Sequence, residues 1–77
     1  MPRYYFVVTL NGETTEPTEP VDLPNMDAAW EEATTAAGEI IRDCDGQLSV
    51  DGKWQIEIQD ESRKPLRTIR LVTETHE

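Results

Sequence analysis

The sequence predicts a small α+β domain of order β-β-α-β-β, with one amphipathic helix packed on one face of an antiparallel sheet. Three observations carry this expectation. Residues 3–10 are mostly β-branched and aromatic, residues 26–44 repeat apolar side chains at three- and four-residue spacing, and residues 53–59 alternate between polar and apolar.

Arg3 to Leu10 is the clearest strand. Tyr4, Phe6, Val8 and Leu10 share one face, and Tyr5, Val7 and Thr9 the other. Both faces are largely apolar, which places this strand inside the sheet rather than at its edge. Asn11-Gly12 is a turn dipeptide that accepts positive φ. Residues 13–20, with Thr-Glu-Pro twice over, lack any other apolar side chain, and each proline removes a ladder donor, so they read as a solvated loop. Val21-Asp22-Leu23 reads as a short strand returning beside the first, stopped by Pro24.

A helix is expected from Asn25 to Asp43. Asn25 supplies the N-cap oxygen, and Asp27, Glu31 and Glu32 suit the positive end of the helix dipole. Met26, Trp30, Ala33, Ala37, Ile40, Ile41 and Cys44 form the apolar stripe, while Glu31, Thr35, Glu39 and Arg42 lie opposite. Gly38 has no structural reason to be there and costs the helix ~1 kcal/mol relative to alanine. Gly46 suits a helix stop with positive φ.

Residues 45–52 form a connector. A tight Asp51-Gly52 hairpin is disfavoured, because it would set Ser49 against Trp54 and Leu48 against Gln55, mixing polar and apolar on one face. In residues 53–59, Trp54, Ile56 and Ile58 point inward, with Gln55, Glu57 and Gln59 outward. A loop at residues 60–65 leads to the last strand, Leu66 to Val72, with Ile69 and Leu71 inward. Matching faces allows a register in which Trp54 pairs with Leu71 and Ile56 with Ile69. Residues 73–77 form a polar tail.

The 77 residues make a single domain, 1–77, near the lower limit for a self-sufficient core, since a chain this size buries only roughly 60% of its unfolded surface. Cys44 is the one cysteine, so no disulfide forms within the chain, which fits a reducing, cytoplasmic setting. No stretch approaches a membrane span or a signal peptide. A net charge of −9 disfavours nucleic acid and anionic membranes as partners. That charge is unevenly spread: residues 13–45 hold ten carboxylates against Arg42 alone, while Arg63, Lys64, Arg67 and Arg70 fall near the C-terminus. Such polarity favours docking with a copy of the chain.

Arg3-Tyr4-Tyr5-Phe6, Leu23-Pro24-Asn25 with Ala28-Ala29, residues 54–58 with Asp60, and Leu66 through Thr68-Ile69-Arg70-Leu71 together resemble a family of short bacterial proteins of unknown function. In that family an Arg-Tyr-Phe-Phe-type strand precedes a Leu-Pro-Asp helix start, and a Thr-Leu-Pro-Phe-type strand closes the chain. Here Arg70 stands where a proline is usual, and residues 13–20 are longer and richer in proline. The resemblance implies the fold and carries no reactive group. A fainter similarity, in the order of strand, Leu-Pro segment and Ala-rich helix, is to HicB-type antitoxins.

Candidate reactive groups are few. Asp43-Cys44-Asp45-Gly46-Gln47-Leu48 is similar to part of a calcium loop, but aligning Gly46 puts Ile41 and Gly52 where oxygen ligands are required. His76 sits in the tail without an orienting partner. Cys44 lies on the apolar stripe beside two aspartates, an environment opposed to a nucleophilic thiolate. Glu31 with Glu32, Asp43 with Asp45, and Asp60 with Glu61 lie on exposed faces or in loops. Trp30 and Trp54 read as core, and the C-terminal cations as solvated groups paired with Glu57, Asp60 and Glu61. The expectation is therefore a protein that is not an enzyme and has no cofactor or metal. Its role would be protein interaction or self-association as a homodimer, through a second sheet face carrying Tyr5, Val7, Gln55, Glu57, Thr68 and Arg70, with Val72 at its end, or through an exposed strand edge. The alternative is an acidic, antitoxin-like regulator that neutralises a basic protein.

Overall fold

The computed structural model describes residues 2–44, 46 and 53–76. Its elements are β1 (Arg3–Leu10), β2 (Glu13–Thr15), β3 (Val21–Asp22), α1 (Met26–Asp43), β4 (Trp54–Gln59) and β5 (Pro65–Leu71). All strands are antiparallel and run β2-β1-β4-β5 across the sheet, with β3 also pairing with β1. The α+β class, the single helix and the interior position of β1 match the sequence reading.

One strand exceeds the expected order. Glu13–Thr15, expected within a loop, instead pairs with Val8–Leu10 as β2. Asn11 and Gly12, at φ 53° and 85°, make the tight turn whose twist suits the flanking strands. Main-chain bonds across such a turn need no apolar side chains, and all three β2 residues are exposed. The prolines that argued for a loop begin only at Pro17. The short strand expected at residues 21–23 is β3, which sets Arg3 opposite Asp22 and Tyr4 opposite Val21.

The helix begins where its cap directs. Asn25 is extended, and its side-chain oxygen accepts from the Ala28 amide at 2.9 Å. At the other end the Cys44 amide donates to the Ile41 carbonyl, and Gly46 follows at φ 80°. The face that reaches the sheet is rotated slightly from the expected stripe. Ala29 and Ala33 are fully buried, with Met26, Trp30, Ala36, Ala37 and Ile40 packed around them, while Ile41 is 48% exposed. The two small alanines are the fully buried centre of this face, and the larger side chains flank them.

Tyr4, Ile56 and Ile58 supply the sheet side of this core. Ile58 is the largest fully buried side chain among the described residues, and burial of such a side chain contributes about 1.5–3 kcal/mol. The β4–β5 register is the one the alternation allows, Trp54 with Leu71 and Ile56 with Ile69. Its hairpin turns on Asp60, whose carboxylate accepts from the Ser62 and Lys64 amides at 2.9 Å each. Arg63 holds φ 65° in this turn, and a register irregularity at Ile58/Gln59 lets Pro65 enter the strand rather than the loop. The Asp51-Gly52 turn and most of the connector lie outside the described residues.

Candidate interaction surface

Antiparallel pairing sorts the six expected surface residues onto one face. Val7, Glu57 and Thr68 form a row across β1, β4 and β5, and Thr14, Thr9, Gln55 and Arg70 form the next. Tyr5 lies opposite Gln59. This is the face away from α1, as alternation along each strand requires.

The side chains on that face bond largely to one another. Arg70 donates from Nε to Gln55 at 3.2 Å, Gln59 donates to Glu57 at 2.7 Å, and the Thr9 and Thr14 hydroxyls are 3.0 Å apart. Tyr5 is capped. The Arg63 guanidinium lies 4.0 Å from its ring centre and donates to the Pro17 carbonyl at 2.9 Å. Arg63 thus joins the β4–β5 hairpin to the segment after β2, and a stacked cation at an exposed site contributes about 0.5–1 kcal/mol. Val7, in the row beside Tyr5, is only 5% exposed although it faces away from the helix. What this face offers outward is mainly polar, with Thr68 and Arg70 exposed on β5 and apolar Val72 continuing their alternation just past the strand.

The C-terminal cations do not pair as expected. Among the described residues, an ion pair joins Arg3 to Asp22 at 3.0 Å, and His76 Nε2 lies 3.4 Å from the Glu74 carboxylate. Arg67 instead lies 5.2 Å from the Trp30 ring centre, and Arg63 is on Tyr5. A planar, weakly hydrated guanidinium stacks readily on an aromatic face, and an exposed ion pair offers little to compete with that.

The edges contrast with the faces. β5 is the terminal strand of the path, and Leu66 and Val72 at its two ends are 43% and 71% exposed. Ile41, 48% exposed, stands on the helix near the same border, where a small apolar cleft of about 70 Å³ opens among Leu10, Ile40, Ile41, Trp54, Ile69 and Leu71. Of these exposed apolar residues, Val72 belongs to the second sheet face by alternation, while Leu66 and Ile41 lie outside the expected surface. Only their location marks those two, since by pattern one belongs to an ordinary strand and the other to the core stripe. The opposite border consists of β2, residues 16–20 and β3, with Glu13, Glu16 and Glu19 all exposed.

The groups considered for chemistry are dispersed. Cys44 is half-buried at the helix end, His76 is exposed in the tail, and Asp43 is exposed. Asp45, Gln47 and Leu48 lie outside the described residues. No charged side chain is buried among those described. The Trp54 Nε1 and Gln59 Oε1 atoms are buried without a hydrogen-bond partner. No helix among the described residues is long and apolar enough to cross a membrane.

Compared with known families, residues 3–73 match the model of a domain of unknown function, DUF6894, and the chain belongs to that family. This agrees with the resemblance to short proteins of unknown function, whereas the likeness to HicB-type antitoxins is not seen. No curated protein and no solved structure matches the chain.

Proposed function

We propose that this DUF6894 domain is a non-catalytic protein-interaction module that makes its contact through the β5 edge and the polar face beside it. The observation that carries the reading is the state of β5. A seven-residue strand ends the sheet, its outer side meeting no further strand among the described residues, and exposed Leu66 and Val72 bracket it. Such an edge is a template for an added strand, with main-chain bonds supplying affinity and side-chain pockets supplying selectivity. The polar ladder of Gln55, Glu57, Thr68 and Arg70 would form the rim of that contact.

The acidic regulator stands as the second reading, favoured by the exposed carboxylates of Glu13, Glu16, Glu19, Glu31, Glu32 and Glu39 on one flank and the outer helix. Capture from source lysate with the wild-type chain and a Leu66→Lys/Val72→Asp variant, in low salt and in 1 M salt, tests both. The edge reading expects a stoichiometric partner that survives salt and is lost with the variant. A partner held equally by the variant but released by salt sinks the edge reading in favour of the acidic surface, because exposed charges are screened over about 3 Å at 1 M.

A further inference from the structure

The two borders of the sheet are opposite in charge and opposite in direction. β1 is antiparallel to both β2 and β4, and β4 to β5, so β2 and β5 run in opposite senses at the two edges. A copy of the domain displaced sideways therefore brings its β2 border antiparallel against β5 without being turned over. The basic border carries Lys64, Arg67 and Arg70, and the acidic one carries Glu13, Glu16 and Glu19, all exposed and both sets spaced by three residues. We propose that the occupant of the β5 edge is a second copy of this chain, joined head-to-tail through its β2 border. The proposal rests on the reading of β5 as the contact edge.

The register follows from the pleat. Leu71, Trp54, Leu10 and Glu13 make one row across the sheet, and Arg70, Gln55, Thr9 and Thr14 the next. Within β2 and β5, even-numbered residues such as Thr14, Thr68 and Arg70 thus project away from the helix, and Glu13, Ile69 and Leu71 towards it. Residues 16–19 lie outside any strand in the single chain, with the Pro17 carbonyl held by Arg63, so the contact has to draw them out as a continuation of β2. In that extended form Arg70 faces Glu16 and Arg67 faces Glu19, and both helices stay on one side of the continued sheet. Pro17 then opposes Ile69, a position a sheet edge accommodates. A two-fold β5–β5 pairing gains none of this, since residues 65–72 contain two arginines and no carboxylate. The net charge of −9 on each copy does not prevent the contact at physiological salt. There the screening length is about 8 Å, so each edge senses mainly its nearest side chains. Because the two surfaces differ, the contact is heterologous, and repetition extends the row instead of closing a dimer.

Sedimentation velocity over a concentration series tests this with wild type, Arg67→Gln/Arg70→Gln and Glu16→Gln/Glu19→Gln, each first confirmed folded by circular dichroism. Wild type should form species that grow with concentration, and each variant alone should associate about tenfold more weakly, the size expected for two exposed pairs. Mixing the variants should restore association but stop at a one-to-one complex, since one retains only the acidic border and the other only the basic one. A closed dimer that Glu16→Gln/Glu19→Gln still forms and that Arg67→Gln/Arg70→Gln loses would overturn the head-to-tail contact while leaving β5 as the contact edge. Association unaffected by either pair of substitutions would overturn both, and a wild type monomeric to millimolar concentration would overturn the self-association.

Discussion

Ile58 concentrates the core energetics at one position. It is fully buried on β4 and clusters with Tyr4 and Ile56 beneath the two buried alanines of α1. Truncating a buried isoleucine removes transfer energy and leaves a cavity, together worth about 2–5 kcal/mol. A domain of this size has total stability towards the low end of ~5–15 kcal/mol. Ile58→Ala should therefore lower the urea midpoint by a third or more, and a shift below a tenth would mean that the helix–sheet core is not what holds the chain. Ala29 and Ala33, also fully buried, make the complementary point. Small side chains at the centre of the helix–sheet contact leave no room for larger ones, a role that a count of large apolar residues does not reveal.

At the scale of elements, the helix start depends on one side chain. Asn25 accepts from the Ala28 amide, one of the donors left unpaired at a helix N-terminus. Asn25→Ala should cost about 1 kcal/mol by chemical denaturation, and Asn25→Ser should recover most of it. Equal loss in both would remove the cap from the account. Elements whose side chains announce a face were legible in the sequence. The parity of Trp54, Ile56, Ile69 and Leu71 allows the β4–β5 register that the chain adopts, and the two apolar faces of residues 4–10 placed β1 inside. β2 was not legible, because its pairing is made by main-chain bonds after an Asn-Gly turn and its side chains all face solvent. The candidate surface was half legible for a related reason. Alternation put Tyr5, Val7, Gln55, Glu57, Thr68 and Arg70 on one face, but the Arg63–Pro17 bond spans 46 residues and no local pattern foretells it.

At the scale of the whole molecule, charge acts on folding and on association with opposite signs. Sixteen acidic side chains face seven basic ones, and few of them are paired at close range among the described residues. Self-repulsion of this kind weakens the compact state more than the expanded one, because folding brings the carboxylates closer together. Salt shortens the screening length from about 30 Å at 0.01 M to about 3 Å at 1 M and relieves that repulsion. The melting temperature of dilute monomer should therefore rise across that range of sodium chloride. The border-to-border contact depends on attraction between arginines and glutamates, so its association constant should fall from 0.15 M to 1 M salt while the fold grows more stable. Calorimetry at low concentration and sedimentation at high concentration separate the two. If stability and association fell together, the contact would require a part of the fold that salt loosens. If they rose together, apolar Leu66 and Val72, and not the charged borders, would be what holds the copies together.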